Sequence, residues 1–585
     1  MFSHLCFAID LDTSKFMPLD QIKPGMKGIG KTVFSGTKIE EFQIEVLDVV
    51  KNAVGPKSDI IWVMCSGGPL EETGVISGMS GSPVYIDGKL IGAVAYRLGS
   101  FTKKPIAGIT PISNMLEIIE DSKKEPLSNV SDSEWEFPFP LRDRKTLKES
   151  SSLELVSENF TSFMPIQTPI MMSGFKTETI EYITPILKEF GMIPIQGGGV
   201  SLSSESDDVN LEPGAVIGIE FVRGDYVAYA SGTLTYIDGD RVLAFGHPMS
   251  GMGRTSLPFS IGKISILVPS MMASSKQGSP IKTIGTLTED SQYGIMSIIG
   301  KQPEFIPMKI RFKSPTRIQE YNFEIAKHRL YAPVFIFSVV LDTISSAGKS
   351  VGDYTIKTHS EISIKGYPKI SRDNVFSGLS PDEVAENFAI PLYLLMQNRF
   401  EEANIENLTL DITFDNVRTN ALIEDVQLEK SMVKPGDSVN LNISITPYKQ
   451  ETIIKRVEVL IPKDVPEGRA LLRISDASSS SSWNRARAPM KSRITDINQL
   501  IKQIQEEESN NNIIIELFSP VVGMTIKGEE LPALPLTAFN IINSSKTTGG
   551  SGPTSGTIFM KQRILTDYVI SGSATLPLVI DRDAP

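Results

Sequence analysis

Cysteine is nearly absent from this chain: Cys6 and Cys65 are the only two among 585 residues. They cannot form a disulfide framework, and neither has the spaced Cys or His companions that a zinc site needs. Histidine is also scarce, at four, so few side chains are suited to moving a proton near neutral pH. No run approaches the roughly 18 apolar residues that cross a bilayer as a helix. Lys and Arg number 57 against 69 Asp and Glu, a net charge of -12, and nowhere form a stripe, which excludes a surface that tracks nucleic-acid phosphates. The first residues, "MFSHLCFAID", hold a short apolar run without a basic n-region or a clean cleavage site, and read at most as the remnant of a signal peptide.

What is present is Gly and Pro, 45 and 37, within a chain that is 41 % hydrophobic, the composition of a turn-rich, mainly β protein. The length predicts three or four domains. Short period-2 runs cut by Gly and Pro, such as "EFQIEVLDVV" and "DIIWVMC", predict a compact β domain over residues 18–120. A polar stretch over 121–170 reads as a linker or insertion. Residues 171–315 open with a helix, "TETIEYITPILKEFG", and continue as a second β-rich stretch. A mixed segment over 316–420 contains a helix announced by Ser380 and Pro381. Steady alternation over 421–475 predicts a β-sandwich-like module. The serine run "SDASSSSSW" is expected to interrupt the order. After it, a helix carries Ile497, Leu500, Ile501 and Ile504 on one face, ahead of the final strands in 476–585.

Gly25 to Thr32, "GMKGIGKT", fits the phosphate-loop expression, but a turn precedes it and strands follow where a strand and then a helix are required. It is read as a glycine-rich turn region. The stretch "GVISGMSGSPVYIDGKLIGAVAY" is different. Gly78 lets the backbone adopt the conformation that aims the N–H groups of Gly78 and Ser80 at a developing oxyanion. Gly81 leaves room for a substrate, and Pro83 leads into a hairpin about Asp87-Gly88. Ser80 is the candidate nucleophile; the plain alternative is a tight turn before a hairpin. Ser66, in "CSGGP", reads as a turn residue. A base must accompany a nucleophilic serine. Among the histidines, His247 in "LAFGHPMSGMG" stands at a strand tip between Gly and Pro, while His4, His328 and His359 lack such a setting.

Three blocks, "ETGVISGMSGSPVYIDGKLIGAVAY", "GTLTYIDGDRVLAFGHPMS" and "IGTLTEDSQYGI", resemble the SpoIVB-type serine peptidase family, a branch of the trypsin-like peptidases. The resemblance implies a trypsin-like double β-barrel followed by β-rich, sandwich-like modules. It implies a Ser80 nucleophile, a His247 base and an oxyanion hole from the N–H groups of Gly78 and Ser80. It also implies a protein or peptide substrate, no metal or organic cofactor, and an exported, extracytoplasmic bacterial protein. Two departures stand out. The serine half precedes the histidine half, as in a circular permutation. Where the family has the third triad member, an aspartate shortly before the nucleophile, this chain has Ser66. Asp59, Glu71, Glu72, Asp238 and Asp240 read as turn or strand-edge charges. A Ser80-His247 pair, with Ser66 as a candidate orienting hydroxyl, is the expected machinery. The alternative is a catalytically inactive, peptidase-like scaffold or binding protein at the cell envelope.

Overall fold

Ile39–Val50 shows in miniature why this chain is β: Phe42, Ile44 and Val46 are buried while Glu41, Gln43 and Glu45 face solvent, the period-2 pattern of a strand with one apolar face. The computed structural model describes residues 11–99, 102–124, 163–197, 209–271, 273–347, 353–526, 528–531, 537 and 551–584. The N-terminal "MFSHLCFAID" and most of the polar stretch 121–170 lie outside them. Half of the chain is strand and 18 % is helix, so the fold class is mainly β. No described helix is long and apolar enough to cross a membrane. The chain forms two compact units, Met1–Pro307 with Asn322–Asp342, and Met308–Tyr321 with Thr343–Pro585.

The first unit holds two closed barrels. One is built from β1 (Lys27–Val33), β2 (Ile39–Val50), β3 (Ile60–Ser66), β4 (Pro83–Ile86), β5 (Lys89–Leu98) and β6 (Ile106–Pro111). They pair in the ring β4-β1-β2-β3-β6-β5, closed by β4 on β5. Its interior is filled by Phe42, Ile44, Val46, Ile61, Val63, Val84, Ile91, Val94 and Ile109, each such side chain contributing about 1.5–3 kcal/mol by leaving water. Cys65 shares this interior, and burial pushes its thiol up to about 12, which makes it inert packing. Asp87 and Gly88 both have positive φ, 52° and 76°, the geometry of the tight turn expected between β4 and β5. The phosphate-loop look-alike lies mostly in β1, with no helix after it.

Two short strands, β7 (Phe163–Pro165) and β8 (Thr168–Ser173), and β9 (Met192–Gln196) precede the second barrel. That barrel consists of β10 (Val216–Gly224), β11 (Val227–Asp238), β12 (Arg241–Ala244), β13 (Gly253–Val268), β14 (Ser275–Ser291) and β15 (Gly294–Ile299). The ring β10-β13-β14-β15-β12-β11 closes through β11 on β10, antiparallel throughout. The double barrel is thus present with its serine half first. The described helices here include the single turn α1 (Leu70–Thr73), α2 (Ile112–Ser122) and α3 (Thr177–Glu189). Ile112, Met115, Ile118 and Ile119 of α2 pack on Leu90 and Ala93 of one barrel and Leu243 and Met296 of the other. Leu90 through Tyr96 are all buried, because β5 has the barrel interior on one face and covering elements on the other.

In the second unit, two sheets face each other across one core that includes Leu441, Ile443, Val459, Leu472, Ile515 and Leu578. One sheet holds Asn420–Leu428, Ser438–Pro447, Ile453–Leu460 and Val569–Ser571. The other is built on Gly468–Ser475, with Asn512–Ser519 on one side and Ser573–Ile580 on the other. The sandwich is therefore completed by the final strands, which local alternation alone assigns to a separate set. The serine run does not interrupt the order: Ala477–Arg487 is a helix, with the Asp476 carboxylate accepting from the Ser479 N–H as its N-cap. Pro381–Met396 is the helix expected after Ser380, and Ile497–Gln505 buries Ile497, Leu500, Ile501 and Ile504.

Candidate active site

Between β3 and β4 the chain makes one helical turn and then the loop Gly74–Ser82. Gly78 and Gly81 adopt φ values of +99° and +92°, accessible to glycine and strained for other residues. The loop is docked on β11 of the second barrel. The Thr233 N–H donates to the Ser80 carbonyl (2.8 Å), the Thr233 hydroxyl to the Gly78 carbonyl (3.1 Å) and the Thr235 hydroxyl to the Gly81 carbonyl (2.7 Å). Gly81 is needed for this docking rather than for substrate room, because a Cβ there would lie 1.9 Å from the Thr233 oxygen and 2.5 Å from the Phe245 nitrogen. Around Ser80 the N–H groups of Ser77, Met79, Gly81 and Ser82 all donate to carbonyls. Those of Gly78 and Ser80 have no acceptor among the described residues.

The His247 loop leaves β12 through Phe245, a non-glycine residue at φ +69°. This is strain of the kind held only by over-determined surroundings. The first barrel supplies them: the Thr110 hydroxyl donates to the Gly246 carbonyl (2.5 Å), and Gly246 rests on Ala93 and Ala95 so closely that a Cβ would stand 3.1–3.2 Å from theirs. The imidazole is buried. Its Nδ1 lies 2.7 Å from the Pro248 carbonyl, and a carbonyl only accepts, so Nδ1 carries the proton and Nε2 the lone pair. Burial pulls the ring down to about 4, against the opposing pull of the Pro248 carbonyl and the Asp290 charge, so it is neutral at pH 7.

Both loops therefore converge on β5: the Gly81 N–H donates to Val94 (2.8 Å) while Gly246 stands on Ala93 and Ala95. The barrels bring the nucleophile and base candidates into one neighbourhood. Ser80 Oγ and His247 Nε2 are both buried, and neither has a hydrogen-bond partner, so no direct hydrogen bond joins them here.

Residues 12–116 match the family model of SpoIVB peptidase S55. The match takes in the first barrel and the whole Ser80 loop, ends before the second barrel, and supports a serine peptidase. No curated protein and no solved structure matches the chain.

Ser66, the candidate orienting hydroxyl, is exposed at the end of β3 opposite Gln43. No hydrogen bond joins it to His247, whose Nδ1 donates to the Pro248 carbonyl. Asp59 accepts from the Asn52 N–H and Glu71 from the Gly67 N–H, 2.8 Å each, which are local turn contacts.

The carboxylate that serves the site is Asp290 on β14, a residue the sequence reading did not single out. It is buried and accepts from the N–H groups of Met249 (2.8 Å), Ser250 (2.9 Å) and Gly251 (2.9 Å) and from the Ser250 hydroxyl (2.8 Å). The Tyr331 hydroxyl donates in turn to Ser250 Oγ (2.7 Å). Asp290 thus fixes the backbone just after His247 without touching the ring. Its signal lay in the acidic strand "IGTLTEDSQYGI", where alternation gives no reason to turn the carboxylate inward. Among the described residues no group of three or more His, Cys, Asp or Glu is placed to hold a metal ion.

Proposed function

We propose that this chain is a serine endopeptidase whose chemistry is carried by Ser80 and His247. Ser80 Oγ attacks the scissile carbonyl carbon as His247 Nε2 takes its proton. The carbonyl oxygen becomes the oxyanion, accepting from the N–H groups of Gly78 and Ser80. The imidazolium then returns the proton to the departing amine, leaving an acyl-Ser80 that water hydrolyses by the same sequence. The observation that carries this reading is a set of free groups: the Ser80 hydroxyl and the His247 Nε2 lone pair are buried without partners, and the N–H groups of Gly78 and Ser80 have no acceptor among the described residues. Each oxyanion donor is worth roughly 10²–10³ in rate. The absence of a carboxylate on the imidazole removes a contribution of up to about 10⁴, which describes a slow enzyme.

A second reading, a peptidase-like scaffold without activity, draws on the unformed bond between Ser80 Oγ and Nε2 and on the burial of both. Labelling with a fluorophosphonate separates the two. The peptidase reading expects wild type to react and Ser80→Ala and His247→Ala not to. A folded wild-type protein that takes up no label, or equal labelling of all three, favours the scaffold.

A further inference from the structure

"ASSKQGSP", residues 273–280, looks like the polar tip of a hairpin, where a lysine would reach into solvent. Lys276 does the opposite: it is 1 % exposed. Its backbone N–H donates to the Ser77 carbonyl (3.0 Å), and the Ser77 N–H donates to Ser274 (2.8 Å), so the start of β14 is zipped to the start of the Ser80 loop. Its aliphatic stem then runs against Gly78, where a Cβ would stand 3.3 Å from Lys276 Cβ and 3.5 Å from its Cδ. The amine donates to Thr32 Oγ1 on β1 at 2.6 Å, and the Ser82 hydroxyl donates to the same oxygen at 3.0 Å. Lys276 therefore grips the loop at Ser77, lies against it at Gly78 and, through Thr32, closes on it at Ser82. Ser80 and its two free N–H groups sit inside that bracket. Thr32 and Ser82 are fully buried, and Thr32 is the last residue of the phosphate-loop look-alike, so its hydroxyl is committed to this network.

A buried lysine is costly unless its amine is hydrogen-bonded. Burial pulls this amine down to about 7, opposed by the through-space charge of Glu40 on β2, and the Phe34 ring lies 5.6 Å from it. A methionine would fill the space of the stem equally well. What the amine adds is the bond to Thr32.

We propose that Lys276 is a positioning residue for the nucleophile loop, its amine tying residues 77–82 to Thr32 so that the N–H groups of Gly78 and Ser80 converge on one point. The catalytic consequence rests on the peptidase reading; the strut itself does not.

Two measurements on the full chain test this, in wild type, Lys276→Met and Thr32→Val. Amide hydrogen exchange followed by mass spectrometry should show residues 77–82 exchanging at least roughly tenfold faster in both variants, with the remainder of the barrels unchanged. The fluorophosphonate labelling rate should fall roughly 10–100-fold in both. In wild type that rate should drop as pH falls through about 7, where the protonated amine is drawn toward water, and Lys276→Met should lose this inflection. A lysine that only fills space predicts that Lys276→Met leaves loop exchange and the pH profile as in wild type, and that result overturns the proposal. If Lys276→Met does not fold, Thr32→Val, which keeps the stem and removes the acceptor, decides alone: unchanged exchange at 77–82 overturns the strut. Exchange that responds in a wild type that never labels supports the strut and refutes the peptidase reading.

Discussion

The two loops that make up the candidate site are held in place by different physics. The Ser80 loop is fixed by uncharged contacts: Gly81 pressed against the backbone of Thr233 and Phe245, threonine hydroxyls on its carbonyls, and a lysine whose burial favours the neutral amine. The His247 loop is fixed by a charge, since one buried carboxylate gathers four N–H groups and a hydroxyl. The first arrangement is intolerant of added atoms and indifferent to lost charge. The second is the reverse, because hydrogen bonds to an ionised acceptor are roughly twice as strong as neutral ones.

Substitutions break this contrast in order of size. Gly81→Ala should be the most damaging, because its Cβ would overlap the Thr233 oxygen at 1.9 Å on a backbone at positive φ. More than about 4 kcal/mol of stability should be lost, together with all fluorophosphonate labelling, as read by denaturant unfolding and by adduct mass. A fall below about 1 kcal/mol would mean that the loop is not docked on β11. Asp290→Asn preserves shape but replaces the charge and sets an amide NH₂ among donors. It should lower stability by about 3 kcal/mol and labelling by about 10², with the Ser80 loop exchanging as in wild type. Faster exchange in both loops would show that they are one unit.

The pH dependence sharpens the same contrast. His247 in the folded chain, at about 4, lies below the ordinary 6.5. Between those values the unfolded chain binds a proton that the folded chain does not, so stability rises with pH through this window and is lost as pH falls toward 4, by on the order of 3 kcal/mol. His328 is pulled to about 4 by burial as well, so the two histidines share this rise, and His247→Gln and His328→Gln should each remove part of the slope in unfolding measured from pH 4 to 7. Lys276, at about 7 instead of 10.5, gives a second rise between those values, which Lys276→Met should flatten. Ser66→Ala marks the small end of the scale: stability within about 0.5 kcal/mol of wild type and unchanged labelling. A large loss of labelling would restore Ser66 to the site.

The two loops were legible in the sequence because each announces itself locally. Gly78, Gly81, Asp87-Gly88 and the Gly-His-Pro turn constrain the backbone within a few residues, and the apolar alternation of β2 states its own pairing face. Asp290 and Lys276 were not legible, and both lie on β14. That strand is paired to β13 with four register shifts between Arg254 and Ile266, and to β15 with another between Leu287 and Glu289. Each bulge exchanges the inward and outward faces, so alternation cannot say which polar residue of "SSKQGSP" or "TEDSQ" turns inward. The sandwich was misdivided for a related reason. Gly468–Ser475 finds Ser573–Ile580 as its neighbour, and no local pattern carries a pairing across that much chain. The serine run formed a helix because Asp476 caps it and Ala477, Ser480 and Arg487 have a covered face to occupy.

The most direct test of the central claim is a crystal structure of the protein after reaction with a fluorophosphonate. The account predicts phosphorus bonded to Ser80 Oγ, a phosphonyl oxygen about 3 Å from the N–H groups of Gly78 and Ser80, and His247 Nε2 turned to the same centre. An adduct on another serine, or a folded protein recovered without an adduct, would contradict it.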